Sequence, residues 1–201
     1  MTQYISTTDT AKLIRKALKE SFPGVKFSVR SSKYSGGSSI RVSWVDGPND
    51  KQVKAITDLF EGSYTSSMED YKGSQYFMVD GKRTRFGADF VFCERKHSDK
   101  LLQNAIDATW LNHLANWESA NIEKPTVEQY RKGELWNVRC PHMHIFGNQS
   151  IQTDINQNLY KRSSFAYPEK SETLKGIKFL GDEGYGQSSV GKVHLTVVET
   201  D

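Results

Sequence analysis

The chain has 201 residues, of which 36% are hydrophobic and 25% charged, a composition that excludes disordered and fibrous proteins. No stretch approaches the roughly 20 apolar residues of a membrane-spanning helix, and the N-terminal residues lack the pattern of a signal peptide. The two cysteines, Cys93 and Cys140, exclude a disulfide framework. We therefore expect a cytoplasmic protein.

The charge is spread unevenly along the chain. The formal net charge is +3, but residues 1–100 hold 17 Lys and Arg against 12 Asp and Glu, whereas residues 101–201 hold 10 against 12. A basic first half suits contact with a polyanion, although this surplus is smaller than that of a dedicated DNA-binding protein. A solvated surface is the alternative explanation.

The first elements are predicted to be a helix and a hairpin. Apolar residues recur at helical spacing from Ala11 to Leu18, and the helix should end near Ser21. The stretch from Pro23 to Pro48 then alternates apolar and polar residues on two predicted strands. A second helix with an apolar stripe follows and ends at Gly62.

The predicted hairpin has one apolar face and one basic, serine-rich face. Between its strands, Ser31 to Ser39 is rich in serine and glycine, so we expect a long, mobile, exposed loop there. The residues proposed to contact nucleic acid or a partner on this hairpin are Lys26, Arg30, Lys33, Tyr34 and Arg41.

A second basic cluster follows the predicted turn at Asp80 and Gly81. Lys82, Arg83 and Arg85 could extend the basic face of the hairpin, or they could belong to a solvated loop. Strands are predicted on either side of this cluster. The polar stretch from Ser63 to Ser74 is the clearest candidate boundary, so we expect a first module over residues 1–75 and a second part over 76–201.

The second half mixes helices with extended segments. We expect one long helix from Ser98 to about Ala120, a short helix ending at Gly133, an extended stretch from Leu135 to Phe146, and a final strand over 193–198. The overall prediction is an α+β fold. It consists of an N-terminal helix-hairpin-helix unit on a small antiparallel sheet, followed by a mixed helical and β second half with one long helix.

A possible metal site involves cysteine and histidine residues. Cys140, His142 and His144 are two apart, so on a strand they would point the same way, and Cys93 with His97 could complete a zinc site. The spacing is not that of a zinc finger, and Pro141 interrupts the strand geometry. Packed histidines and inert thiols are the alternative.

A second catalytic possibility uses the C-terminal strand. The order histidine, apolar, threonine, apolar at His194 to Val197 resembles one half of the motif of two-histidine phosphoesterases. The other candidate half begins at His142. It is incomplete, because His144 occupies the motif position that should be a threonine, as Thr196 is in the C-terminal half. Phosphate-binding, dinucleotide-binding and nucleophile-elbow motifs are absent from the sequence.

The first third of the chain also resembles a known group of domains. The features that carry the resemblance, between about Ile5 and Tyr71, are Thr10-Ala11 through Leu18-Lys19, Phe22-Pro23, KFSVRSSKYSGGSSIRVSW, Asp46-Gly47-Pro48, and Phe60 with Gly62. This pattern resembles a large polyvalent protein-associated domain of phage, plasmid and conjugative-element proteins. The resemblance implies a mobile-element setting, in the host cytoplasm if a phage encodes the protein, and carries over no catalytic residue.

Three hypotheses follow from the sequence. In the first, the protein is a non-enzymatic counter-defence protein, such as an anti-CRISPR or anti-restriction inhibitor, that binds a host nuclease complex or its nucleic acid. In the second, it is a stand-alone DNA- or RNA-binding protein. In the third, it is a metal- or two-histidine-dependent phosphoesterase.

Overall fold

The computed structural model describes residues 1–66, 71–112, 114–140 and 149–182. The elements, in chain order, are β1 (Gln3–Ile5), α1 (Thr7–Ser21), β2 (Ser28–Tyr34), β3 (Gly37–Val45), α2 (Asp50–Thr57), β4 (Ser63–Ser66), β5 (Tyr71–Val79), β6 (Lys82–Phe86), β7 (Phe90–Lys96), α3 (Asp99–Asn112), α4 (Leu114–Ser119), α5 (Val127–Lys132), α6 (Ile151–Lys161), α7 (Glu172–Lys175) and β8 (Ile177–Asp182). The predicted α+β class is confirmed.

The chain divides into two compact units. Unit 1 comprises residues 1–95 together with the chain from residue 165, and unit 2 comprises residues 96–164. The predicted boundary stretch from Ser63 to Ser74 contributes to β4 and β5, which pair antiparallel within unit 1.

Unit 1 contains two sheets. In the larger, five-stranded sheet, β1 pairs parallel with β6, β6 pairs antiparallel with β5, and β5 also pairs with β4 and β8. The smaller sheet has the order β2-β3-β7. One hydrophobic core includes the inward residues of both sheets and of α1 and α2, and its fully buried members include Ile14, Leu18, Ile40, Val42, Phe60, Phe77 and Phe86.

Local sequence explains where the helices of unit 1 begin. The Ser6 side chain caps α1 by accepting from the Asp9 backbone N–H. Helix α2 begins with a capping box, in which Asn49 and Gln52 satisfy each other's backbone amides. Both helices place their apolar stripes in the core.

The C-terminal described segment returns to unit 1 through polar and aromatic contacts. The Phe165 ring packs edge-on against Phe22 with the ring centroids 5.3 Å apart. The Glu20 carboxylate accepts hydrogen bonds from the Ser171 hydroxyl at 2.6 Å and from the Thr173 backbone N–H at 3.0 Å. Strand β8 then pairs with β5, so residues distant in sequence complete the sheet.

The regular elements described in unit 2 are helices, with an isolated antiparallel β-bridge between Arg139 and Ser150. Helices α3 and α6 contact each other around a separate core of Leu102, Ile106, Trp117, Leu135, Ile151, Ile155 and Leu159. The rings of Trp110 and Trp117 stack with centroids 5.4 Å apart and planes 7° from parallel.

Three local predictions are wrong. The expected loop from Ser31 to Ser39 is mostly strand, because β2 and β3 stay in register up to Tyr34 and Gly37 and leave a two-residue turn with Gly36 at φ 86°. The alternative of a solvated loop for Lys82 to Arg85 fails because β6 is paired on both edges. The extended stretch expected from Leu135 to Phe146 begins instead with a 3-10 helix over Glu134–Asn137, which follows the left-handed Gly133. Val138 is extended and Arg139 forms a β-bridge with Ser150, while residues 141–146 lie outside the described residues.

Two further predicted segments extend outside the described residues. The predicted long helix corresponds to α3 and α4, with residue 113 between them outside the described residues. The predicted final strand over 193–198 lies wholly outside them. Among the helices that are described, none has the length and apolar character needed to cross a membrane.

Candidate nucleic-acid interface

The five contact residues predicted on the hairpin lie on its strands or just before them. Arg30 and Arg41 are directly opposite each other across β2 and β3, and both are exposed, as is Lys26 before β2. Like charges in this position repel. Glu94 of β7 offsets the repulsion only partly, since its carboxylate lies 3.7 Å from Arg41 in an exposed ion pair.

The basic cluster after Asp80 is carried by strand β6. Thr84 and Phe86 point into the core, with 0% and 1% of their surface exposed. Arg83 and Arg85 alternate with them and therefore occupy the opposite face of the sheet. The Arg83 guanidinium lies 4.1 Å from the centroid of the Tyr76 ring, which is a cation–π contact.

The register of the neighbouring strands extends this face. Tyr4 of β1 is opposite Arg85, while Met78 of β5 is opposite both Arg83 and Lys178 of β8. We call this surface the basic sheet face, and its members are Tyr4, Tyr76, Met78, Arg83, Arg85, Lys178 and Leu180. All three charged members are cations, and Tyr4 and Leu180 are 62% and 47% exposed.

The basic sheet face adjoins an open cleft of about 340 Å³ in unit 1. Its charged and aromatic lining residues are Tyr4, Lys33, Tyr34, Arg85, Phe86 and Asp89, and its smaller ones are Thr7, Gly37, Ser38 and Gly87. We call it the tyrosine cleft. It brings together Lys33, Tyr34 and Arg85, three residues predicted from two separate sequence clusters.

Two glycines allow the tyrosines to lie close to the backbone in the cleft. A Cβ atom at Gly37 would lie 2.9 Å from Cε2 of Tyr34, its cross-strand partner. A Cβ atom at Gly87 would lie 2.5 Å from the Tyr4 hydroxyl oxygen and 2.7 Å from the Ile5 carbonyl oxygen. Both separations are shorter than real Cβ contacts, so side chains at these positions would displace the tyrosines or the backbone.

Asp89 is the acidic member of the cleft, and its carboxylate is already engaged. It accepts hydrogen bonds from the Ser63 hydroxyl and the Ser38 backbone N–H, each at 2.8 Å, and lies 2.9 Å from the Lys72 ammonium. Burial raises the pKa of this carboxyl, but the bonds from Lys72, Ser63 and Ser38 outweigh it, so the pKa lies below its ordinary value. Because Lys72 offsets the charge of Asp89, the charges of Lys33 and Arg85 predominate in the cleft.

The cysteines predicted as metal ligands are packed thiols in the two cores. Cys93 packs against the core of unit 1, with its sulfur 3.3 Å from the Thr57 hydroxyl. Cys140 belongs to the core of unit 2. Burial raises the pKa of each thiol to about 11.

The remaining metal and catalytic candidates are only partly described. The His97 backbone carbonyl accepts from Arg131 at 3.2 Å. His142, His144, His194 and Thr196 lie outside the described residues. Among the residues that are described, no three His, Cys, Asp or Glu side chains are grouped so that they could hold a metal ion.

Sequence reasoning did not identify Tyr4 or Asp89 as members of the cleft. Tyr4 lies in a strand of three residues that pairs with β6 about 80 positions later, too short for an alternating pattern to be recognised. The sequence pattern predicts Asp89 in a strand, where it alternates with Ala88 and Phe90, and an acidic residue on the polar side of a half-buried strand is ordinary. A usable signal was the close succession of Gly87 and Asp89 between strands, because glycine there often marks a close approach of backbone or side chains.

The geometry thus defines an α+β unit with a cation-bearing open sheet face beside a cleft. Residues 5–98 match the family model described as Large polyvalent protein associated domain 29, so the N-terminal part of the chain is similar to this family. The resemblance deduced from residues 5–71 is therefore confirmed, and the match extends through β7. A match to this family agrees with an association with phages and other mobile elements. Neither the curated proteins nor the solved structures gave a significant match.

Proposed function

We propose that the protein is a non-enzymatic accessory protein of a mobile element and that unit 1 binds nucleic acid through the basic sheet face. The observation that carries the proposal is the convergence of Arg83, Arg85 and Lys178 with two tyrosines on adjacent strands. Arginine and lysine neutralise phosphates, while exposed aromatic rings stack on bases. The hairpin cations Lys26, Arg30, Lys33 and Arg41 and the adjoining Lys82 add positive charge to the same unit.

The electrostatic balance of the face favours a polyanion over an acidic protein. Its cations are interspersed with aromatic and apolar side chains, and Arg83 already stacks on Tyr76. A protein partner recognised through acidic side chains would need only the charges, whereas a nucleic acid uses the cations and the rings together. We therefore give the nucleic acid priority over a purely protein ligand.

The family match supports a mobile-element setting for the proposed nucleic-acid binding. Proteins that accompany mobile DNA into a host meet nucleases that act on that DNA, and a protein that occupies the nucleic acid of a nuclease complex would block it. We propose that the protein acts in counter-defence, of the anti-CRISPR or anti-restriction type, with a host nuclease complex or its nucleic acid as the partner.

Binding is tested by fluorescence anisotropy with labelled single-stranded DNA, duplex DNA and RNA at several salt concentrations. The triple variant Arg83→Gln, Arg85→Gln, Lys178→Gln should weaken binding at least tenfold and reduce the salt slope by about 2, since each phosphate contact contributes about 0.7 to 0.9. The matched control is Lys19→Gln, Lys51→Gln, Lys54→Gln, which removes the same charge from exposed positions of α1 and α2. Equal losses of binding affinity in the two triple variants would contradict a localised binding site.

The counter-defence role is tested separately in cells. A plasmid with or without the gene is introduced into hosts that carry or lack a nuclease-based defence. We expect the gene to raise plasmid establishment only where the defence is present, and the triple variant of the basic sheet face to lose the effect. If plasmids with and without the gene became established equally well in every host that carries a defence, this role would be contradicted.

A further inference from the structure

The tyrosine cleft has the dimensions and chemistry to hold one nucleotide. Its volume of about 340 Å³ falls at the lower end of the range for small-molecule sites, about 300 to 1,000 Å³. Tyr4 and Tyr34, which line the cleft, are 62% and 51% exposed, so their rings are accessible to a base. An aromatic ring can stack on any base, because every base has a π face.

The charges of the cleft suit a phosphate. Lys33 and Arg85 both line it. Thr7, the first residue of the 15-residue helix α1, also lines it, so the positive end of the helix dipole adds to the field of the two cations. Asp89 opposes them weakly, because Lys72, Ser63 and Ser38 already engage its carboxylate.

The cleft is continuous with the basic sheet face, since Tyr4 and Arg85 belong to both. A strand that lies along the face could therefore place one of its nucleotides in the cleft. In a duplex, the bases are stacked and paired inside the helix, so none is available to lie against a tyrosine ring without unstacking.

We propose that the tyrosine cleft binds a single nucleotide of a single-stranded nucleic acid, with its phosphate at Lys33 and Arg85 and its base on Tyr4 or Tyr34. This inference rests on the proposed nucleic-acid function and deepens it, because it names the single strand as the ligand class. The cleft would thereby distinguish exposed single strands, such as those displaced or bound by a nuclease complex, from duplex DNA.

The test compares a labelled 20-nucleotide single strand of deoxythymidine with a duplex of the same length, using the full chain. We expect wild-type protein to bind the single strand at least tenfold more tightly. The variant Tyr4→Ala, Tyr34→Ala should lose about tenfold or more of its single-strand affinity and a smaller factor of its duplex affinity, so that its preference for the single strand falls to about twofold or less. Tyr160→Ala, at a 56% exposed tyrosine in unit 2, should change neither affinity.

A second variant separates stacking from a loss of structure. Tyr4→Phe, Tyr34→Phe keeps both rings, so it should retain single-strand affinity. Equal affinity for single strand and duplex, or an unchanged single-strand affinity in Tyr4→Ala, Tyr34→Ala, would overturn the inference but leave the proposed function standing if the salt slope and the loss in the basic-sheet-face variant persist. Absence of binding to single strand, duplex and RNA would overturn both.

Discussion

Asp89 joins three strands of unit 1 through one carboxylate. Its oxygens bind Ser38 of β3, Ser63 of β4 and Lys72 of β5, so both sheets are tied together beside the tyrosine cleft. The Asp89 side chain is only 15% exposed, and a partly buried hydrogen bond to a charged group is worth more than a neutral one. The shape of the cleft therefore depends on this residue.

The lowered pKa of Asp89 makes its contribution to stability dependent on pH. Because its folded-state pKa lies below the value of about 3.9 for an unfolded chain, the contribution is present above that value and lost as pH falls through the folded-state pKa. We expect Asp89→Asn to lower the free energy of unfolding by about 1 to 3 kcal/mol at pH 7 and by less near pH 3.

Urea unfolding followed by circular dichroism at both pH values measures this difference. Glu169→Gln removes a carboxylate from an exposed position of the same unit and should leave stability nearly unchanged. A destabilisation by Asp89→Asn that was equal at pH 7 and pH 3 would show that the carboxylate charge is not responsible.

At the scale of elements, Glu20 of α1 anchors the segment that leads into β8. The hydrogen bond from Ser171, followed by those from Thr173, lowers the pKa of the Glu20 carboxyl against the opposing effect of burial. Lys16 contributes little, since its ammonium is 3.9 Å away and largely exposed. The segment is thus held mainly by hydrogen bonds to one carboxylate.

We expect Glu20→Ala to loosen α7 and β8, because the Ser171 and Thr173 donors lose their acceptor. Hydrogen exchange measured by mass spectrometry should show faster exchange over Glu172–Asp182 and little change over α2. Lys16→Ala is the control and should leave exchange in this segment unchanged. Equal protection in Glu20→Ala and wild type would mean that strand pairing with β5 alone holds the segment.

Several elements of unit 1 could be predicted from local patterns, while others could not. The alternation of Ile40, Val42 and Trp44 in β3 and the capping residues of α2 are encoded within a few positions. Strand β1 and the return of residues 165–182 depend on partners about 80 to 150 positions away, which no local pattern reveals. The serine and glycine residues of the hairpin tip predict a loop, but the backbone pairing of β2 with β3 continues to Tyr34 and Gly37.

The candidate site, too, could be predicted from the sequence only in part. Lys33, Tyr34 and Arg85 stand out in the sequence as exposed cations and an aromatic residue between apolar strands. Their meeting in one cleft depends on contacts between the two sheets, in which the Ser38 hydroxyl donates to the Gly87 carbonyl at 2.6 Å and the Ser38 backbone N–H donates to Asp89 at 2.8 Å. The parallel pairing of β1 with β6 then adds Tyr4 beside Arg85. Sequence therefore supplied candidate residues, whereas the topology determined which of them share a surface.

At the scale of the whole molecule, unit 1 extends beyond the family match. The match ends at residue 98, yet Phe165, Leu174, Ile177 and Phe179 belong to or pack against the core of this unit. The Phe179 ring lies edge-on to Phe77 with centroids 5.5 Å apart. In this chain the domain is thus completed by a segment that follows unit 2.

We expect a chain ending at Ser164 to have a markedly destabilised unit 1. Removing the four apolar side chains exposes core surface worth several kcal/mol, at about 1.5 to 3 kcal/mol for each large side chain fully buried. Pulsed hydrogen exchange at increasing urea, followed by mass spectrometry over β5 and β6 of unit 1, measures the loss as a shift of the unfolding midpoint. A chain ending at Asp182 keeps these contacts and is the control; equal midpoints for the two shortened chains would contradict the expectation.

The claim that unit 1 binds nucleic acid through the basic sheet face and its cleft is tested most directly by photo-crosslinking. A single strand containing 5-bromodeoxyuridine is irradiated with the full chain, and the crosslinked residues are identified by mass spectrometry. We predict crosslinks at Tyr4, Tyr34 and Tyr76. Tyr160 of unit 2 and Tyr167, which are 56% and 84% exposed and belong neither to the face nor to the cleft, serve as internal controls. Crosslinks confined to Tyr160 and Tyr167, or distributed over all five according to exposure, would contradict the claim.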